Sequence, residues 1–454
     1  MAHWFHRNQL KATTALSFDF GPKAASSLAR NICIDTKLAR AALLNILPDP
    51  NKDVDELTTK FEAYIGLLLG FVNPTEAPSG HQPPPQSQPK PEAQDQENPT
   101  ESEGDSTEIA SSGHQLSTLD SKLRNALKIT WTNSLTSKTV NQHDFVFELI
   151  SILFNTALWY TKHAAKVAAS TENIAEDDAK EVHRCLRTAA GIFSYIQNHL
   201  VVRLFEKHED AIDMDPQVLL AYILQCTAEA QEVTVARAIE LKHKPTLISA
   251  LANETYNLFR KASDALRSVD ETIVNKWRKY LLLKSAIYLS YAHSYNGLHL
   301  VDNDKCGEAI RSLRESVTLH QKAGILCSEY AAAKGTGVAA KPEHHPFYRR
   351  LGTTVKRILD KCERENGFIY HQKIPDNLPE LESHASFGLA TPIEFELPAK
   401  STDWTWEVYN GFSLSAQNHD KKKKEKEEPV KPVKEVPISQ TDKEPNNSSG
   451  CVIS

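Results

Sequence analysis

The chain has 454 residues, of which 40% are hydrophobic and 24% charged, with a formal net charge of −6 and 17 glycines. The mildly acidic balance argues against a nucleic-acid-binding protein, because phosphate recognition usually goes with a high pI. The few glycines argue against an enzyme rich in phosphate-binding loops and against a β-sandwich. No apolar run reaches the roughly 18 residues of a membrane-spanning helix. Composition therefore predicts a mainly helical protein with some disordered segments.

The start of the chain and the cysteine pattern indicate a cytosolic protein. The first residues lack the apolar core of a signal peptide. The seven cysteines are widely spaced and none forms a CxxC pair. Such cysteines are typical of reduced thiols rather than of disulfides or a zinc site.

Two segments have the composition of disordered chain. Residues 74–117 are rich in proline and poor in large apolar residues, so they cannot bury enough surface to offset the entropy of ordering. Their PxxP spacing is compatible with docking to an SH3 or WW domain, although a tolerated surface loop is the favoured interpretation. From Asp420 onward the chain is again of low complexity.

Between these segments, apolar residues recur at three- and four-residue steps, which predicts helices. The predicted helices cover 143–168, 217–242, 246–267, 272–296 and 306–333. Short breaks at Lys244-Pro245, at Gly297 and at 302–304 predict antiparallel hairpins stacked as in an α-solenoid. After Phe368 the spaced prolines predict an extended strap over 369–410.

The helix that begins near Thr246 illustrates how the apolar positions are distributed. At about 100° per residue, Ile248 and Phe259 lie near the middle of the apolar arc, whereas Leu247 and Leu251 lie at one rim. The central pair belongs in the core, whereas the rim positions leave room for partial exposure.

No motif of a known catalytic chemistry is present. Walker A, HExxH, GxSxG and EF-hand patterns are all missing from the sequence, and the pair His344-His345 has no third ligand nearby. We therefore predict no catalytic residue, no metal site and no cofactor. The rival hypothesis, a hydrolase or transferase, requires a pocket on which several titratable groups converge.

The last four residues carry a modification signal. Cys451-Val452-Ile453-Ser454 fits the C-a-a-X pattern of farnesylation. It predicts a prenyltransferase and CaaX-processing enzymes as partners, loss of the last three residues, carboxyl methylation and a lipid on Cys451. A single lipid chain anchors only weakly. Because acidic neighbours offset the lysine run 421–424, we expect the second membrane signal to come from a protein partner.

Six sequence motifs resemble those of the Bro-domain family, to which ALIX belongs. They are HWFHRN at 3–8, ALWYTKHA at 157–164, AQEVTVARAIELKH at 230–243, KWRKYL at 276–281, DKCGEAIRSL at 304–313 and ENGFIYHQKIP at 365–375. The resemblance implies an all-α, boomerang-shaped Bro domain over residues 1–410, with a tetratricopeptide-like helical core and the strap. The insertion 74–117 and the tail 411–454 are then expected to be disordered.

The resemblance also implies a function. Bro domains are non-enzymatic adaptors that bind the C-terminal amphipathic helix of CHMP-type (charged multivesicular body protein) ESCRT-III subunits. The apolar pair of the family's binding patch matches Leu247 and Leu251, and its acidic residue and lysine match Glu176 and Lys180. An aromatic residue of the patch is Thr234 here, a departure expected to weaken binding or to alter the choice of subunit.

Plainer interpretations of these residues stay open. The pattern alone favours core burial of both leucines, whereas the resemblance favours a surface role. Glu176 and Lys180 are equally well explained as an ordinary i,i+4 ion pair.

Together, a weak lipid anchor and a weak helix-binding surface predict a detector of membranes on which ESCRT-III assembles. We expect a cytoplasmic protein that is peripheral on endosomes or the nuclear envelope and takes part in ESCRT-dependent membrane remodelling or repair. The rival is a prenylated helical scaffold whose main partner is a cytoskeletal or nuclear-envelope protein. The rival requires Cys451 for function but not Leu247.

Overall fold

The computed structural model describes residues 5–76, 120–169, 175–335, 346–382, 384–413 and 430–438. The helices are α1 Ser27–Ile46, α2 Val54–Val72, α3 Phe145–Ala168, α4 Glu176–Tyr195, α5 Pro216–Glu240, α6 Pro245–Ala265, α7 Glu271–Asp302, α8 Cys306–Ala332, α9 Pro346–Glu365 and α10 Trp406–Asn410. One antiparallel hairpin joins β1 Ile129–Thr132 to β2 Thr139–Gln142. Nearly all of the predicted insertion, and Cys451 with the residues after it, lie outside the described residues.

The five helices predicted from periodicity are confirmed as α3, α5, α6, α7 and α8. The break predicted at Gly297 is wrong, because α7 continues to Asp302. A β-carbon at position 297 would lie 2.6 Å from Leu313 Cγ on α8, so this glycine permits close helix packing. Helices α1, α2, α4, α9 and α10 and the short hairpin were not predicted from the sequence.

Several helices begin where a side chain can accept the first free backbone N–H groups. Ser26 accepts from the amide of Ala29 before α1, and Asp144 accepts from the amide of Val146 before α3. Asp215 caps α5, which starts with proline, a residue suited to the first helical position. Such local signals fix where these three helices start.

From α3 to α9 each helix packs against the next one in the chain, as expected for a solenoid-like stack. Helix α3 is buried on almost every side and lies within the main core. The predicted all-α architecture is confirmed. Within the described residues, no helix has both the length and the hydrophobicity needed to cross a bilayer.

The N-terminal segment, part of the HWFHRN motif, runs through the interior of the stack. Arg7 pairs with Glu229 of α5 at 2.8 Å, and Asn8 donates to the Tyr222 hydroxyl at 2.6 Å. The Lys11 ammonium lies 2.7 Å from Asp213. The segment therefore ties distant helices together through buried polar contacts.

The extended strap predicted over 369–410 is confirmed for residues 371–405, whereas residues 369–370 end a π-helical turn and residues 406–410 form α10. Residues 371–405, described except for 383 and called the strap below, contain no helix or strand among the described residues and run back across the stack. The backbone amide of Ile393 bonds to the Arg187 carbonyl of α4 at 3.1 Å. Further along, the Trp404 indole donates to the Leu67 carbonyl of α2 at 2.7 Å. A β-carbon on Gly70 would overlap the Trp404 ring, so the glycine makes room for the strap.

Six cysteines lie in the described part of the chain, and all six are free and buried. Burial raises the pKa of the Cys33 and Cys185 thiols to about 12. These thiols are therefore protonated and unreactive at neutral pH, as predicted for structural cysteines.

Candidate functional site

The five positions that the resemblance assigns to a binding patch lie on adjoining elements of the fold. Glu176 and Lys180 stand on the first turns of α4, Thr234 on α5, and Leu247 and Leu251 on α6. An ion pair connects α4 to α5, and one residue of the strap contacts both α5 and α6, as described below. The structure thus gathers on one face residues that are up to 75 positions apart in the chain.

The two leucines differ in their exposure. Leu247 is half-buried at the edge of the core, whereas Leu251 is only 1% exposed. Ile248 and Phe259 are buried, as the helical wheel predicts. The surface position that the resemblance implies is therefore met in part by Leu247, whereas Leu251 is buried, as the apolar pattern alone favours.

Leu251 is covered because the strap crosses α5 and α6 at Gly388. A β-carbon at position 388 would lie 3.2 Å from Thr234 Cγ2 and 3.5 Å from Leu251 Cδ2. Gly388 has φ +80°, a conformation that favours glycine. The strap thus lies directly on two of the positions assigned to the binding patch.

Gln231 holds this part of the strap through a pair of hydrogen bonds. Its Nε2 donates to the Gly388 carbonyl at 2.8 Å, and its Oε1 accepts from the Ala390 amide at 2.6 Å. Gln231 was not among the residues predicted from the sequence. Two features of the sequence could have indicated its role. Gln231 stands three residues before Thr234 on the same face of α5, and its side-chain amide can both donate and accept a hydrogen bond.

The structure also gives a reason for the threonine at position 234. Its methyl group fits beneath Gly388, whereas an aromatic ring there would occupy the path of the strap. The small side chain at position 234 therefore leaves room for the strap.

The outer side of the strap is apolar next to this crossing. Phe387 is 60% exposed and Leu389 is 49% exposed, and the Phe387 ring meets the edge of His243 at 6.5 Å. The closed face therefore still presents hydrophobic side chains to solvent.

Charged side chains border the face on the α4 side. The Lys180 ammonium lies 3.2 Å from Glu176 and 3.4 Å from Asp177, and these contacts raise the lysine pKa. Arg237 of α5 pairs with Glu176 at 3.2 Å and with Glu240 at 2.9 Å. The predicted i,i+4 pair is thus part of a larger exposed network, and Arg237 was missed although it stands one turn after Thr234.

A shallow depression of about 300 Å³ lies beside this network. Its titratable lining consists of Asp53, Asp55, Lys180, Glu181 and Arg184, a convergence of charges that the sequence analysis did not anticipate. Both signs of charge are present, and Lys180 already has acidic partners. The arrangement offers no nucleophile with an activating base.

Next to it, ligand-type atoms of His163, Glu181 and Cys185 lie within 4.8 Å of one another. His163 bonds through Nδ1 to the Pro50 carbonyl and through Nε2 to Glu181, both at 2.8 Å. Both ring nitrogens of His163 thus already have protein partners, and burial raises the pKa of the Cys185 thiol.

A second titratable cluster is sealed inside the stack. Lys284 of α7 lies 2.6 Å from Glu232 of α5, and burial raises the Glu232 pKa to about 7. Both side chains are at most 2% exposed, so the pair connects helices rather than meeting a substrate.

Comparison with known proteins gives three findings. A family model described as BRO1-like domain matches residues 94–425. The chain is 43% identical over 455 residues to the BRO1 domain-containing protein BROX of Danio rerio, and the match covers 100% of both chains. A solved structure, the ALIX BRO1 CHMP4C complex, has a TM-score of 0.62 at 18% identity and covers 88% of this chain and 97% of its own. Another, titled as a structure basis for endosomal targeting by the Bro1 domain, has a TM-score of 0.56 at 20% identity, covering 89% and 94%.

Proposed function

The chain belongs to the BRO1-like domain family, and from that membership we propose that it is a non-enzymatic adaptor for CHMP-type ESCRT-III subunits. The observation that carries the proposal is the gathering of all five family-matched positions on one face of α4, α5 and α6. The ALIX domain of the solved complex with CHMP4C has the same fold. We assign the C-terminal amphipathic helix of such a subunit as the ligand of this face.

The physical basis of recognition is burial of apolar surface with charged borders. Leu247 and Leu251 stand one turn apart, which suits a helix that offers apolar residues at i, i+3 and i+4. Glu176 and Lys180 supply charges of both signs at the edge. Because Leu251 lies under Gly388, the incoming helix takes the place of the strap at residues 387–390.

Opening the strap has a modest cost. The two hydrogen bonds of Gln231 contribute about 0.5–1.5 kcal/mol each, so breaking these two bonds alone costs about 1–3 kcal/mol. That cost lowers the apparent affinity by roughly 5- to 150-fold relative to an open face. Weak, micromolar binding by the isolated protein is the expected result.

The second part of the proposal is membrane attachment through farnesylated Cys451 after processing of the CaaX end. Lipid and helix contacts are each weak, and their combination recruits the protein to membranes that already carry ESCRT-III. We propose peripheral attachment to the cytosolic face of endosomes or of the nuclear envelope, with a role in membrane remodelling or repair. A related Bro1 domain has a structure described in terms of endosomal targeting, which supports the endosomal assignment.

Titration calorimetry of the full chain against C-terminal helix peptides of CHMP-type subunits tests the helix-binding proposal. We expect micromolar binding that Leu247→Asp weakens at least about tenfold, since burying one leucine contributes about 1.5–3 kcal/mol. Leu241→Asp is the matched control, because Leu241 is exposed beyond the end of α5.

Failure of the wild-type chain to bind any such helix would overturn the adaptor proposal. Equal losses in the Leu247 and Leu241 variants would place binding elsewhere. If Cys451→Ser abolished recruitment to cell membranes while Leu247→Asp left it intact, the prenylated scaffold would replace the adaptor.

A further inference from the structure

Nine residues of the predicted disordered tail have a defined place on the helical body. Residues 430–438, called the latch below, are extended and lie against the N-terminal segment and the end of α1. The backbone amide of Val436 donates to the Pro48 carbonyl at 2.8 Å, and the backbone amide of Leu10 donates to Glu435 Oε1 at 2.8 Å. The expectation of disorder over 411–454 therefore does not hold for this segment.

A buried charge on α3 makes the contact specific. Lys162 is 3% exposed and its ammonium group is paired with Glu435 Oε2. Burial lowers the Lys162 pKa and the nearby glutamate opposes that shift. A buried ammonium without its partner costs several kcal/mol, so this site requires a carboxylate from an incoming segment.

Apolar contacts flank the ion pair on both sides. Val433 packs against the main core. Ile438 is buried in a smaller hydrophobic cluster that also contains Val182 of α4, Val233 of α5 and Ala390 of the strap. The latch thus runs from the α1 end of the body toward the elements that build the helix-binding face.

We propose that this site is a peptide-binding site whose ligand is the chain's own segment 430–438, and that the docked latch holds the lipid attachment point beside the helix-binding face. The recognised chemistry is an extended segment with a glutamate between two aliphatic residues, Val433 and Ile438. The second half of the inference rests on the proposed function, because it needs a lipid on Cys451 and a helix on α4–α6.

The docked latch shortens the flexible chain that connects the helical body to the lipid on Cys451. Twelve residues separate Ile438 from Cys451, and these thirteen residue steps span at most about 45 Å when fully extended. Without the latch, the connection starts at Ser413 and its maximum span is about 130 Å. Because the effective concentration of a tethered group falls roughly as the −3/2 power of linker length, the latch raises it about fivefold.

Hydrogen exchange of the unmodified full chain tests the latch itself. Glu435→Gln removes the charge that pairs with Lys162, so the amides of Leu10 and Val436 are expected to exchange at least about tenfold faster. Lys434→Gln is the matched control, since Lys434 is exposed in the same segment, and it should leave both amides unchanged.

Unchanged exchange in Glu435→Gln would overturn the latch. Should that variant expose the whole chain to exchange, Val436→Pro gives a second test, because it deletes the amide that bonds to Pro48. Faster exchange of Leu10 in that variant supports the latch, and unchanged exchange overturns it.

Farnesylated full chain on phosphatidylcholine vesicles that carry a tethered amphipathic helix peptide tests the second half. Glu435→Gln is expected to reduce binding about fivefold, while binding to the same helix in solution stays the same. Equal vesicle binding by both chains would overturn the link between latch and lipid. If the farnesylated wild type bound vesicles with the tethered helix no better than vesicles without it, the proposed function and this second half would both be overturned. The latch itself would still be supported by the hydrogen-exchange data.

Discussion

The strap and the latch are both extended segments laid on the same helical body, yet they are held by different interactions. Over the helix-binding face the strap contributes a glycine and is fixed by the neutral amide of Gln231. The latch contributes a glutamate that pairs with a buried lysine and with a backbone amide. Neutral hydrogen bonds contribute about 0.5–1.5 kcal/mol each, whereas removing one partner of a buried ion pair costs about 3–5 kcal/mol.

The difference teaches which contacts are suited to opening. A segment that must yield to an incoming helix can be held by a few weak contacts, since its release then costs no more than a helix can offset. A segment that must stay in place needs a partner that the body cannot leave unpaired. By this criterion the strap at residues 387–390 is the segment suited to opening, and the latch at residues 430–438 is the segment suited to staying in place.

The largest effect is expected at the far end of the strap. Trp404 is buried against Gly70 and meets the Phe71 ring edge-on at 4.8 Å. Trp404→Ala should lower the free energy of unfolding by about 3–5 kcal/mol, as measured by urea denaturation.

Phe387→Ala is the matched control within the same strap, because its ring is largely exposed, and it should change stability by no more than about 0.5 kcal/mol. Similar losses of unfolding free energy in both variants would contradict the division of the strap into a firmly anchored end at Trp404 and a weakly held part at residues 387–390.

Acidification should lower the stability of the helical body beneath the strap and the latch, rather than break the hydrogen bonds between Gln231 and the strap. Burial lowers the pKa of His6 to about 3, and the ring bonds to the Tyr330 hydroxyl at 3.0 Å. Its folded-state pKa lies below the ordinary 6.5, so its contribution to stability is fully present above pH 6.5 and is lost as the pH falls from there toward 3. Between pH 7 and pH 5 this one histidine should remove about 2 kcal/mol of stability.

The measurement is urea denaturation at both pH values for the wild type, His6→Gln and the exposed control His208→Gln. The His6 variant should lose about 2 kcal/mol less than the wild type on acidification, whereas the His208 variant should follow the wild type. An unchanged pH dependence in His6→Gln would show that the ring is not held neutral.

Most of the central helices can be predicted from the sequence, but the positions of the strap and the latch on them cannot. Apolar periodicity identifies α3 and α5 to α8 because a helix packed on one side repeats its apolar residues every three to four positions. It fails at Gly297, where the glycine serves packing rather than a break.

The candidate site was predictable in its residues but not in its accessibility. Leu251 and Thr234 are matched by family resemblance, yet their burial depends on Gly388, more than 130 positions further along the chain. The latch was missed for a similar reason, since the low complexity around Glu435 gives no sign of the buried Lys162 that requires it.

Removing the hydrogen bonds of Gln231 to the strap should increase the affinity for the helix peptide. Gln231→Leu keeps the approximate size of the side chain but leaves the Gly388 carbonyl and the Ala390 amide without their bonds. The open face should become more populated, and titration calorimetry should show an affinity for the helix peptide up to about tenfold higher than that of the wild type. Gln217→Leu, at the exposed start of α5, is the control. Weaker binding in the Gln231 variant would mean that the helix docks on the closed strap, where Phe387 and Leu389 face outward.

The smallest effect is expected from the glycine that covers the leucine. Gly388→Ala places a β-carbon 3.2 Å from Thr234 Cγ2 on a residue with φ +80°. The strain of about 1 kcal/mol applies only while the strap is closed, so affinity for the helix should rise about fivefold. Because Gln231 donates to the Gly388 carbonyl itself, the two changes disturb one contact, and adding Gly388→Ala to Gln231→Leu should give less than the product of the two gains. Full multiplicative gains in the double variant would mean that Gly388 and Gln231 hold the strap closed independently of each other.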